Sequence, residues 1–174
     1  MSSKKSPQRP RLTTRTPPTV TKTSREKQPS RSADSLPPGN ARPRPPEPGA
    51  IVDYGYLWKR EHDAGQENAS KVRPCYILGV KQIDGLYIVS VLPISSSATG
   101  ARVPIHPRER AALGLPDDCD VVIEEANVFQ WPGPDIVPQD NRALMRANPA
   151  SRKLTSAIAD ARAGRKLEIV FRTV

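Results

Sequence analysis

The sequence predicts a mainly β domain over residues 49–174, a small and partly open barrel with a C-terminal helix, behind a disordered tail over residues 1–48. Three observations predict it. Short runs rich in β-branched and aromatic residues recur from residue 50 onward, separated by turn residues. One separator, Asp84-Gly85 between two apolar runs, is a strong short-range hairpin signal. Only one long stretch, residues 148–164, carries a clear helical period, and it lies near the C-terminus. Many short strands with one late helix fit a small barrel.

The tail differs from the rest in composition. Residues 1–48 hold 11 of the 27 Lys+Arg, 3 of the 18 acids and 11 of the 20 prolines, a net charge of +8. The remainder carries 16 basic and 15 acidic residues, a net of +1. Leu12, Val20 and Leu36 are nearly the only large apolar side chains in the tail, too few to offset the entropy of ordering it. Two readings of it stand: a solvated extension, or a basic arm that holds RNA or another polyanion loosely. The chain's +9 therefore says little about the domain, where any nucleic-acid chemistry must come from local groups.

The elements follow in order. Residues 50–58 (AIVDYGYLW) have the composition of a strand. The polar stretch 59–72 (KREHDAGQENASKV) has almost nothing to bury and reads as a long loop of the kind that carries function. Residues 73–80 (RPCYILGV) and 86–93 (LYIVSVLP) are the strongest strand candidates. A Ser/Thr/Gly-rich turn at 95–100 precedes a short strand near 102–105. Residues 107–113 (PRERAAL) make two helical turns, with Pro107 first and Gly114 as the stop. Residues 121–131 (VVIEEANVFQW) form a strand or a bent strand pair. In the 148–164 helix Pro149 suits the first turn, Leu154, Ile158 and Ala161 share a face, and Gly164 ends it. Residues 167–174 alternate and close the sheet.

Cys75 and Cys119 lie 44 residues apart with no ligand-type neighbours, which is neither a zinc pattern nor a disulfide framework. Two free thiols fit a reducing cytoplasm. No run reaches the length of a membrane span, and the basic start lacks the apolar core of a secretion signal.

The hairpin carries the chemistry. A two-residue Asp84-Gly85 turn pairs positions summing to 169, so Arg73 faces Ser96; a three-residue turn lowers the sum to 168 and puts Arg73 opposite Ser95. Directly opposed residues lie ~5 Å apart at Cβ. Either way a permanent guanidinium sits beside the Ser95-Ser96-Ser97 hydroxyls, an arrangement suited to a phosphate and the charge it develops during transfer. A rim arginine beside a serine-rich turn is the plainer reading of the same geometry.

From Gly49 the string resembles the MazF/PemK family of toxins. The matching features are the strand ending in Trp58, Gly65-Gln66-Glu67, Arg73-Pro74 opening an apolar strand, and Leu92-Pro93-Ile94-Ser95-Ser96. They cover roughly residues 49–97; Glu124-Glu125-Ala126-Asn127 and Trp131-Pro132-Gly133-Pro134-Asp135 are similar to a PemK-like subgroup. The resemblance implies an SH3-like barrel, a homodimer, a cognate antitoxin, and cleavage of single-stranded RNA with no metal or other cofactor. It implies Arg73 as the catalytic arginine, Ser95 as the partner hydroxyl, and Glu67 as the loop acid. Ser96, Ser97, His62, Lys71 and Arg102 are the expected RNA contacts.

The remaining candidates are weaker. His62 offers an imidazole for acid/base work but sits in a solvated loop. His106 lies at a strand–helix junction and reads as structural. Trp58, Tyr54 and Tyr56 can stack on unpaired bases or fill a core. The competing function is a non-catalytic binding module on the same barrel, taking RNA, DNA or a protein partner.

Overall fold

The computed structural model describes residues 44–172. In chain order the elements are β1 (Ile51–Gly55), α1 (Lys59–Asp63), β2 (Val72–Ile83), β3 (Leu86–Ser95), β4 (Arg102–Pro104), α2 (Pro107–Ala112), β5 (Asp120–Val122), β6 (Glu125–Trp131), β7 (Ile136–Val137), α3 (Arg152–Arg162) and β8 (Glu168–Phe171). Eight strands pair in the order β4-β5-β3-β2-β1-β7, with β6 also on β3 and β8 on β6. All pairings are antiparallel except β6–β8, which is parallel. The domain is mainly β, as expected.

β3 organises the sheet. Its first half, Tyr87 to Val91, is flanked by β2 on one side and β6 on the other. Its last two residues, Ile94 and Ser95, pair with β5 instead. Because strand side chains alternate, the two faces fill separate clusters. Tyr76, Leu92, Ile94, Val121, Leu154 and Ile158 belong to one, which takes in the buried face of α3. Val52, Tyr54, Trp58, Cys75, Val89, Val91 and Phe129 belong to the other, where the Tyr54 and Phe129 rings stack at 4.5 Å.

The β2–β3 hairpin has the expected two-residue turn. Asp84 (φ 49°) and Gly85 (φ 79°) both take the left-handed conformation that such turns require. Pairs run from Ile83↔Leu86 to Gly79↔Ser90, and then a bulge between Ile77 and Gly79 shifts the register to Ile77↔Val91 and Cys75↔Pro93. The Ser90 hydroxyl donates to the Gly79 carbonyl at 3.4 Å beside the bulge, where a Cβ on Gly79 would lie only 3.3 Å from that oxygen. Continuing the shifted register sets Arg73 opposite Ser95. The extra residue sits mid-strand rather than in the turn.

Other expectations need adjusting. The 59–72 stretch opens with helix α1, because Glu61 reaches back to accept from the Trp58 N–H at 3.2 Å and closes a cap. α3 starts at Arg152 and not near Pro149: the Ser151 hydroxyl accepts from the Leu154 N–H at 3.2 Å and caps it there. The 121–131 stretch is the bent pair β5–β6. β8 pairs only with β6 and ends the sheet as an edge, so residues 168–171 do not close it. The tail readings fall on residues 1–43, outside the described residues, as do residues 173–174 of the last strand expected. Residues 44–48 are described: Pro46 is buried, and the Trp131 indole donates to the Arg44 carbonyl at 3.2 Å. Among the described residues no helix is long and apolar enough to cross a membrane.

Candidate functional site

Arg73 and Ser95 meet. The Arg73 Nη1 donates to the Ser95 Oγ at 3.4 Å, and Ser95 is only 4% exposed. The guanidinium carbon lies 5.2 Å from the Trp58 ring centroid, within cation–π range. Trp58 is itself fixed as the cap of α1 and by Tyr56, edge-on at 5.0 Å, and Arg60 approaches the same ring at 5.9 Å. Sequence, local structure and site are linked here: the bulge sets the register, the register sets the pair, and the α1 cap sets the platform.

The electrostatics are unusual for a half-buried arginine. Arg73 forms no ion pair among the described residues, and its Nε is buried without a hydrogen-bond partner. Its charge is therefore left to attract an anion. Ser96 and Ser97 are exposed beyond it. Arg102 Nη1 donates to the Ser96 carbonyl at 3.2 Å and steadies that turn.

Glu67 and His62 lie elsewhere. They line a cleft of about 670 Å³ together with Gln66, Asn68, Asp135, Phe171 and Arg172. Arg172 donates from Nε (3.2 Å) and Nη2 (2.7 Å) to Asp135 Oδ2, and its Nη1 donates to the Glu67 carbonyl. The Glu67 side chain makes no hydrogen bond to Arg73 or Ser95. His62 Nδ1 is 3.4 Å from the Asp63 carboxylate, whose pKa is held below the usual range by Lys59 first and His62 second. Lys71 is exposed, with no hydrogen bond or ion pair among the described residues. The sequence assigns neither Asp135 nor Arg172 a role: Asp135 enters only as the end of the 131–135 string, and alternation in 167–174 places polar Arg172 two residues from Val170 on one face.

Both thiols are free and buried. Burial pushes the Cys75 thiol well above its ordinary value, and burial also raises Cys119 against the opposing pull of Arg110. Burial raises the Glu125 carboxyl too, partly offset by the Lys59 N–H that donates to it at 2.7 Å. His106 caps α2 by accepting from the Arg108 N–H at 3.2 Å, a structural role.

Comparison of the chain with protein-family models, with curated proteins and with solved structures found no match.

Proposed function

We propose that the protein is the toxin of a type II toxin–antitoxin pair, a metal-independent endoribonuclease of MazF/PemK type that cleaves single-stranded RNA. The observation that carries this reading is the Arg73 guanidinium, which has no ion pair among the described residues and is seated between Trp58 and the Ser95 hydroxyl. In the reaction a ribose 2′-oxygen forms a bond to the adjacent phosphorus as the P–O5′ bond breaks. The 2′-hydroxyl loses its proton and the departing 5′-oxygen gains one, giving a 2′,3′-cyclic phosphate and a 5′-hydroxyl. Arg73 offsets the negative charge gathering on the phosphorane oxygens, and Ser95 orients the same phosphate.

The bend of β3 between two sets of partners supports an SH3-like barrel as the scaffold. A homodimer, a cognate antitoxin and a cytoplasmic setting belong to the same proposal. Inducible expression in a bacterium tests it: the wild type arrests growth and degrades unstructured RNA in the presence of chelator, and Arg73→Ala does neither. Intact RNA under every condition would eliminate catalysis.

One observation favours the second reading, a non-catalytic module that binds RNA, DNA or a protein. No carboxylate or imidazole hydrogen-bonds to Arg73 or Ser95 among the described residues, so no proton acceptor is yet in place there. That reading predicts binding of RNA with Arg73-dependent affinity and no product.

A further inference from the structure

The cleft beside β8 flanks the Arg73 site. Leu57 lines it, and the next residue, Trp58, carries the Arg73 guanidinium. Gly55 donates its N–H to the Asp135 carbonyl at 2.8 Å and pairs across the sheet with Val72, the neighbour of Arg73. A chain with its phosphate at Arg73 thus has an adjoining unit within reach of the cleft.

The wall chemistry selects what enters. Glu67 and Asp135 are both acidic, and Arg172 is already spent on Asp135 and on the Glu67 carbonyl. A phosphate would be repelled, whereas a neutral ring would not. Phe171 is 70% exposed at the cleft, a bare aromatic surface on the edge strand. Both Arg172 contacts fall on Asp135 Oδ2, and Oδ1 accepts nothing among the described residues. The Gln66 and Asn68 amide side chains likewise have no hydrogen-bond partner among the described residues, so they can read a ring edge.

We propose that this cleft receives one unpaired nucleobase bearing an exocyclic amino group, stacked on Phe171 with its amino group donating to Asp135 Oδ1. The proposal rests on the RNA reading above and moves Glu67 from chemistry to base selection, beside His62, which keeps its expected place as an RNA contact. Uracil has a carbonyl where cytosine has its amino group, and that oxygen would face the carboxylate unpaired. Base–aromatic stacking of this kind is sequence-tolerant, so the discrimination comes from the polar edge.

The test uses full-length wild-type protein titrated with short unstructured RNAs whose 2′-hydroxyls are methylated, so that nothing is cut and Arg73 still holds the phosphate. The RNAs differ at one position, carrying adenine, cytosine, guanine or uracil. Amino-bearing bases are expected to bind about tenfold tighter than uracil. Phe171→Ser, at an exposed position, is expected to weaken binding about tenfold, and Asn68→Ala to narrow the gap between bases. No difference between bases, or affinity unchanged in Phe171→Ser with its circular dichroism intact, overturns the cleft assignment. Wild-type cleavage in chelator is the separate arm. Base preference without cleavage refutes the nuclease reading and leaves the cleft standing; cleavage without base preference does the reverse.

Discussion

Two arginines, Arg73 on β2 and Arg146 in the segment between β7 and α3, are treated in opposite ways. Arg146 donates from Nε and Nη2 to the two Asp53 oxygens at 3.2 and 2.7 Å, and from Nη1 to the Leu113 and Gly114 carbonyls at 3.0 and 2.7 Å. Gln139 adds a 2.6 Å hydrogen bond to the same Asp53. Asp53 lies on β1 directly opposite Pro74, one residue from Arg73. Among the described residues Arg73 has one 3.4 Å side-chain hydrogen bond, a tryptophan face and no ion pair. A saturated guanidinium ties the 138–150 segment and the end of α2 to the sheet. An unsaturated one, held in place by packing, is available to a ligand. Burying a charge without a partner is costly, and folds tolerate it where a ligand supplies the partner.

That contrast can be broken by substitution. Arg73→Ala is expected to lower cleavage about 1,000-fold, worth ~4 kcal/mol, while leaving thermal stability unchanged or slightly raised; RNA turnover and a melting curve on the same sample check both. Arg146→Ala is expected to do the opposite: it strands Asp53, costs about 3 kcal/mol of stability in chemical denaturation, and leaves cleavage per folded molecule intact. A stable Arg146→Ala with lost cleavage would erase the distinction between the two sites. Ser95→Ala sharpens it, with kcat down about tenfold and stability nearly level, because it removes one long hydrogen bond.

The smallest expected effect concerns Glu125. Its pKa is raised in the folded state, so the folded chain holds that proton more tightly than the unfolded chain. The stabilisation is fully present below the ordinary glutamate value and is lost as pH rises through the folded value. Glu125→Gln should therefore flatten the fall in stability across that window, by a modest amount because the group is only half-buried. Denaturation midpoints at several mildly acidic pH values would read it out, and identical slopes would contradict it.

Much of this was legible in the residues. The turn at Asp84-Gly85 and the approach of Arg73 to the Ser95-Ser96-Ser97 cluster follow from local propensity and counting, but a two-residue turn counts to Ser96, and it is the bulge that moves the pair to Ser95. The bulge was not legible: Leu78-Gly79 has no sequence mark that separates a bulge from an ordinary strand glycine. Helix α1 was hidden because its only signal is Glu61 capping a tryptophan, and Trp58 is not a usual cap residue. The Asp135–Arg172 and Asp53–Arg146 pairs join positions 37 and 93 residues apart. Such contacts arise from how strands cross, which composition does not encode. Glu67 was assigned by its place in a motif, and the fold sets it against β8 and not against Arg73.

The central claim is that Arg73 keeps its charge for a phosphate undergoing attack by the neighbouring 2′-hydroxyl. Phosphorus NMR of the products from an unstructured RNA incubated with protein and chelator tests it most directly. The account predicts a 2′,3′-cyclic phosphate signal from the wild type and none from an equally folded Arg73→Ala protein. Equal cyclic-phosphate signals from both proteins, or intact RNA with the wild type, would contradict it.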